Sequence, residues 1–265
     1  FVEPIQGKGV VVPDEGYLRE AAAICTNAGT LLVADEIQTG LGRTGAMLHT
    51  ARDGCAADLV LVSKALSAGI VPVGAILARP GVLDKVFDSV DRSVAHSSTF
   101  REAPLAMTIA LAAMHVIEHE DLAARSERIG SLLKEGLEAL AVELGTIAEV
   151  RGRGLMIGVE LDLPALSRSI PGLGSTQATL IAQACVIRLL EDHHVLVQAS
   201  SRVSPVIKLV PPLVIDETDV AWIIEAFRAT LTSLASGRIA DLKGLSLMVA
   251  NATGVVVREA FRGVQ

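Results

Sequence analysis

The sequence places an acid and an amine, Asp35 and Lys64, where they could work together. Each stands just past a short apolar run, residues 30–34 and 58–63. Continuous rather than alternating apolar runs of this length read as strands covered on both faces of an α/β sheet. In open sheets of that kind ligands bind outside the carboxyl ends of the strands. Asp35 and Lys64 would therefore face one crevice. Alone, an aspartate after a strand is most often a cap or turn former, and a lysine most often a solvated surface residue. Lys64, however, sits in Val62-Ser63-Lys64-Ala65-Leu66, with no acidic neighbour. Burial in such a setting favours the neutral amine, the form nucleophilic toward an aldehyde.

A second pattern is Gly40-Leu41-Gly42-Arg43-Thr44-Gly45, which spells the dinucleotide-binding fingerprint. That fingerprint turns directly from a strand into a helix. Here residues 35–39 intervene and a turn at Arg52-Asp53-Gly54 soon follows. The pattern reads as a tight glycine loop, and a dinucleotide-dependent oxidoreductase would leave Lys64 without a role.

The elements that must carry these residues alternate along the first hundred positions. Residues 10–12 are a short apolar run, and residues 14–27 have a helical pattern that Gly29 can stop. Residues 73–78 read as a third strand. From Pro104, suited to a first helical turn, a helix is predicted to about Glu118. Asp121 is placed to cap the next, whose stripe is Leu122, Ile129, Leu133, Leu137, Leu140 and Leu144, ended by Gly145. Residues 149–161 read as one strand with a glycine-rich start, 176–192 as a helix, and 195–199 and 206–210 as short strands. Asp216 is placed to cap a last amphipathic helix carrying Val220, Ile223, Ile224, Phe227, Leu231 and Leu234. This order implies three segments: 1–103 as part of a larger α/β domain, 104–237 as a smaller α+β domain, and 238–265 as a tail without assignable chemistry.

Composition narrows the function classes. Of the 265 residues, 51% are hydrophobic and 20% charged, which gives ample material for a core. The mean hydropathy of +0.49 is high, yet no apolar stretch reaches the roughly 18 residues of a membrane span. The excess points to a large buried surface, in an oligomer or against further chain. A net charge of −7 argues against nucleic acid as a partner. Cys25, Cys55 and Cys185 show no metal-ligand spacing and read as reduced thiols of a cytoplasmic protein. His96, His193 and His194 likewise form no metal pattern, so no metal is expected. The chain opens on Phe1-Val2-Glu3-Pro4, without Met or signal peptide, and is read as the later part of a longer one.

Taken together, several segments resemble the class III aminotransferase family. They are Val2-Glu3-Pro4-Ile5-Gln6-Gly7, Gly16-Tyr17-Leu18, the block from Leu31 through Asp35-Glu36-Ile37-Gln38-Thr39 to Gly45, then Asp58, Lys64, His96-Ser97-Ser98-Thr99-Phe100 and Arg151-Gly152-Arg153-Gly154-Leu155-Met156. The resemblance covers about residues 1–235. It implies an α/β fold, that of the pyridoxal-phosphate-dependent transferases of fold type I, and amino-group transfer through a Schiff base. Lys64 would bind pyridoxal 5'-phosphate covalently and move the substrate proton. Asp35 would pair with the pyridine nitrogen, keeping the ring an electron sink. Gln38 would bond the phenolic oxygen, and Ile37 would pack on a ring face. Thr99, less so Ser98, would reach the phosphate of a neighbouring subunit, implying a homodimer with shared active sites. Arg151 and Arg153 would be mainly structural.

On the substrate side the resemblance singles out Glu3 and Lys208. In many members the residue matching Glu3 pairs with an arginine that otherwise binds the substrate carboxylate. The segment that supplies that arginine reads here Val206-Ile207-Lys208-Leu209-Val210-Pro211-Pro212-Leu213. Lysine is a point charge without arginine's bidentate fork. Lys208 either contacts a carboxylate less specifically or is merely exposed. The same segment resembles members that act on ω-amines, diamines or longer aldehydes. Two alternatives stay open: an aminomutase or decarboxylase using the same lysine, and an inactive fragment serving as a dimerisation or docking module. The family's phosphate-binding Ser/Gly/Thr loop and ring-stacking aromatic lie before the segment matching Phe1. The 265-residue chain alone is therefore expected not to hold the cofactor tightly.

Overall fold

A computed structural model of the chain describes residues 1–167, 178–200 and 204–236. The tail 238–265, and Thr176 and Gln177 of the expected helix 176–192, lie outside the described residues.

Chain contacts define two compact units. The first comprises Phe1–Ser131, Gly152–Met156 and Pro211–Ile215, and the second Leu132–Arg151, Ile157–Val210 and Asp216–Gln265. The expected boundary at 103/104 thus falls inside the first unit.

In the first unit, helix α1 (Tyr17–Asn27) ends before Gly29, whose φ of +64° lets the chain turn back. Strand β1 (Val33–Asp35) pairs in parallel with β2 (Leu59–Val62), register Asp35↔Leu61. β2 pairs antiparallel with β3 (Ala75–Ala78). On its other edge β1 receives Val2, whose N–H donates to Val33 O and whose carbonyl accepts from Asp35 N–H, a parallel bridge. The cover expected on both sheet faces is only partly present among the described residues: β1 is buried at Val33 and Ala34, but β2 is half-buried and β3 largely exposed. Helix α3 (Pro80–Val86) has no buried residue. Leu41, Val62 and Leu66 pack with Ala110 and Ile117 of helix α4 (Pro104–His119), forming the core behind the sheet end. A four-residue helix α2 (His49–Arg52) lies between β1 and β2 in the chain.

Helix α5 (Leu122–Leu144) follows its expected stripe, with Ile129, Leu133, Leu137 and Leu140 fully buried. Asp121 has φ +48° and offers its backbone carbonyl to Arg125 N–H. The single strand expected over residues 149–161 is two: β4 (Ile147–Arg153) and β5 (Met156–Leu161), adjacent in one sheet. Gly154 between them has φ +52°, which lets the chain turn from one strand into the next.

In the second unit β7 (Val206–Leu209) lies between β5 and β6 (Gln198–Ala199), antiparallel to both. Helix α6 (Leu163–Ser167) precedes α7 (Ala178–Glu191), which packs on α8 (Glu217–Ala235). Asp216 caps α8 as expected, accepting from Thr218 and Asp219 N–H in a reciprocal capping box. Val220, Ile223, Phe227, Leu231 and Leu234 are buried, with Ile224 half-buried. Burial pushes the Cys185 thiol up to about 12, so it acts as a small hydrophobe.

Candidate active site

Parallel pairing decides where the chemistry gathers. The Val2 segment, β1 and β2 run side by side, so their carboxyl ends, carrying Glu3, Asp35 and Ser63-Lys64, open on one edge. Asp35 is half-buried, and its Oδ1 accepts from Ile37 N–H at 3.0 Å. Its Oδ2 makes no hydrogen bond to a described residue. The same short turn brings Gln38 round, and Lys64 Nζ donates to Gln38 Oε1 at 3.2 Å. Glu3 Oε2 accepts from Gly7 N–H at 2.7 Å. Ile37 is half-buried between Asp35 and Gln38 in sequence.

Lys64 opens a 3₁₀ turn, Lys64–Ser67, with φ +43°. A lysine in the left-handed region is strained, and such strain gathers at functional sites. Ser63 and Ser67 hydroxyls donate to Val73 O at 2.7 Å and Val71 O at 2.5 Å, pinning the following loop. Between Lys64 and that loop is an open pocket of about 330 Å³. The burial expected of Lys64 is not supplied by the described residues: its ammonium is exposed, while neighbouring Leu66 is buried. The apolar neighbours turn inward and the amine outward, because the chain changes from strand to 3₁₀ turn at this residue.

The remaining expected residues lie on other elements. Thr99 lies in an exposed turn. Lys208 sits mid-strand in β7, opposite Gly158 and Gln198, and belongs to the second unit while Glu3 belongs to the first. Arg151 is held by Glu149 and Glu160 at 2.5 and 2.6 Å, a structural arrangement.

The glycine loop is a clamp and offers no phosphate cradle. Leu41 and Gly42 N–H donate to Met47 and Ala46 carbonyls, and Gly40 and Gly45 N–H to Glu36 and Gly42 carbonyls. These amides are spent within the loop, and the helix that follows has four residues. Arg43 reaches out to the carbonyls of Leu155 and Pro211, at 3.1 and 2.5 Å. Burial holds its guanidinium down at about 10.

Residues 1–231 match the class-III aminotransferase family. The chain belongs to that family. It is similar to the ornithine aminotransferase of Bacillus subtilis, 39% identical over 86% of this chain and 51% of that protein. It is 32% identical to the aminotransferase PigE of a Serratia species, over 89% of this chain and 32% of that protein. Among solved structures it resembles the ornithine aminotransferase of Toxoplasma gondii, with a TM-score of 0.76 and 34% identity over 90% of this chain and 52% of that one. The chain thus spans about half the length of the ornithine aminotransferases it matches. Its fold is that of the fold type I transferases, as the sequence resemblance implies.

Family membership leaves Glu36 unexplained, and sequence reasoning assigned it nothing. Glu36 is only 1% exposed. One carboxylate oxygen accepts from Thr50 N–H and hydroxyl at 2.8 and 2.6 Å, the other from His49 N–H at 2.8 Å and the Thr39 hydroxyl at 3.1 Å. Glu36 thus anchors the start of α2 and closes the glycine loop behind Asp35 and Gln38. Buried His49 has Nδ1 3.0 Å from Thr44 Oγ1 and Nε2 3.5 Å from Asp53 Oδ2. Burial holds its imidazole below the ordinary value, against the opposing pull of Asp53 and Glu36. In sequence Glu36 looks ordinary: only Thr39 is a near neighbour, and His49 and Thr50 come 13 and 14 residues later.

Proposed function

We propose that this chain carries the catalytic lysine and its partners of a pyridoxal-phosphate-dependent transaminase, which moves an amino group between an amine donor and a carbonyl acceptor. The observation that carries this reading is the convergence of Asp35, Gln38 and Lys64 at the carboxyl ends of parallel-paired strands, with Lys64 Nζ 3.2 Å from Gln38 Oε1. The set fits the cofactor's chemistry: an amine for an aldehyde carbon, a carboxylate with one oxygen still open for a ring N–H, and an amide for a phenolic oxygen. Bound pyridoxal phosphate supplies an aldehyde that condenses with amines and a protonated ring that takes up an electron pair from the substrate carbon.

This chain's residues do the rest. Asp35 Oδ1 is fixed by Ile37 N–H, so Oδ2 is aimed and able to keep a ring nitrogen protonated. Gln38 turns its carbonyl to Lys64, and its NH₂ is left to donate. Ile37 offers an apolar surface to a ring face. Lys64 Nζ is the amine that would hold the cofactor and the base that takes and returns the proton at the substrate carbon. Its exposure leaves it accessible to an incoming aldehyde.

Further parts belong to the same proposal. Thr99, in its exposed turn, is available to the phosphate at a partner subunit's site in a homodimer. Glu3 and Lys208 are the substrate-side charges. An ω-amine or diamine donor is supported by likeness to relatives named for ornithine. A cytoplasmic setting is supported by three free cysteines.

The test is reductive trapping. Pyridoxal phosphate is added, the mixture reduced with borohydride and digested, and the pyridoxyl group mapped by mass spectrometry. The adduct is expected on Lys64 and lost in Lys64→Ala. A folded protein with no adduct at Lys64 would sink the reading. Isotopic exchange of the amino group between two separate substrates distinguishes transfer from decarboxylation.

A further inference from the structure

We propose that Gly7 is a positioning residue, which sets the orientation of the Gln38 amide by having no side chain. This deepens the transaminase reading and rests on it for the use made of the site. Gly7 is buried, and a β-carbon placed on it would stand 2.5 Å from Gln38 Oε1 and 3.0 Å from Glu3 Oε2. Its backbone lies outside the left-handed region, so the conformation does not demand glycine; the space does.

That space is occupied by the atom that matters. Gln38 Oε1 stands over Gly7 while accepting from Lys64 Nζ at 3.2 Å. The floor beneath it is fixed, because Gly7 N–H is tied to Glu3 Oε2 and Gln6 N–H to Val11 O. An amide end accepts on one side and donates on the other. With Oε1 seated over Gly7 and accepting from Lys64, the NH₂ takes the other side of the amide and is left to donate. A methyl at position 7 would meet the far end of a flexible side chain and no backbone atom. The disturbance is therefore local to Gln38 and, by a few tenths of an ångström, to the Glu3 carboxylate.

The test uses the 265-residue chain with ¹⁵N-labelled glutamine side chains, the Gln38 amide pair being assigned by its loss in Gln38→Ala. In Gly7→Ala that pair is expected to shift, as in Lys64→Met, while those of Gln183 and Gln198 hold still. In parallel, the second-order rate of pyridoxal phosphate capture at Lys64 is measured by borohydride trapping. It is expected to fall about fivefold in Gly7→Ala, the factor corresponding to one net hydrogen bond. It is expected to fall no further when Gly7→Ala is added to Gln38→Ala. An unmoved Gln38 pair in Gly7→Ala, or the same rate loss with and without Gln38, overturns the proposal. Should Gly7→Ala fail to fold, recovery of folding in the Gly7→Ala/Gln38→Ala double variant supports it, and a double variant that stays unfolded overturns it. A Gln38 pair that shifts in a chain capturing no cofactor upholds the placement by Gly7 and removes the transaminase reading, so the two failures are told apart.

Discussion

Glu36 shows how a single residue decides whether its neighbours can function. A buried carboxylate is costly unless its lone pairs are filled, and here four donors fill them. Those donors come from Thr39, His49 and Thr50, so the acid ties the turn after β1 to the start of α2. Asp35 and Gln38 flank it and inherit that rigidity. Glu36→Gln keeps the shape but turns an NH₂ toward two of the donors. Each charge-assisted bond lost is worth roughly 1.5–3 kcal/mol, so the variant is expected to lose about 3 kcal/mol or more of unfolding free energy in urea. A loss under about 1 kcal/mol would mean that the network is not what holds the turn.

At the scale of elements, close approach between α5 and the β4–β5 connection is made by two glycines. A β-carbon on Gly130 would run into the Gly154 carbonyl, and one on Gly154 would stand 2.7 Å from Arg43 O and Ser126 Oγ. Ser126 bridges the same place, donating to Arg43 O at 2.8 Å and accepting from Leu155 N–H at 3.0 Å. In an open helix, replacing glycine by alanine gains about 1 kcal/mol. At Gly130 the sign is expected to reverse, because the obstacle is backbone: a loss of about 3 kcal/mol, the upper end of overpacking costs. Gly145→Ala is the comparison, with φ +63° and open space around it; it should cost roughly 1 kcal/mol from left-handed strain alone. Equal losses at the two positions, measured by denaturant unfolding, would contradict the close-packing account.

At the scale of the whole molecule, the described residues leave apolar surface open around the sheet. Ile76 and Leu77 of β3 are each 47% exposed, and Leu83 and Phe87 at α3 are 41% and 39% exposed. Lys64 is exposed beside them in the chain, and its pocket is open. A cofactor phosphate is usually held by convergent backbone amides, and those of the glycine loop are spent on one another. The 265-residue chain is therefore expected to capture pyridoxal phosphate but not retain it. The visible band of the unreduced complex should be lost on gel filtration, while the borohydride-reduced adduct remains. Stoichiometric retention without reduction would show that this chain supplies a phosphate site of its own.

The sequence by itself determined what local pattern can encode. Apolar runs ending in Asp35 and Lys64 became adjacent parallel strands, the stripe from Leu122 to Leu140 became the buried face of α5, and Asp216 became a cap. Each depends on neighbours within a turn or a strand, where periodicity and capping chemistry act. The tertiary structure alone decided the rest. The one strand expected over residues 149–161 became two because Gly154 turns against Arg43, far away in the chain. Lys64 came out exposed because the strand ends at Val62, two residues before it, and a 3₁₀ turn begins. Gly7 and Glu36 look ordinary in sequence, since what they do depends on atoms brought over them by folding: a Gln38 oxygen above one, four donors around the other. A missing side chain or a buried charge has meaning only once its surroundings are known, and no period in the sequence records those.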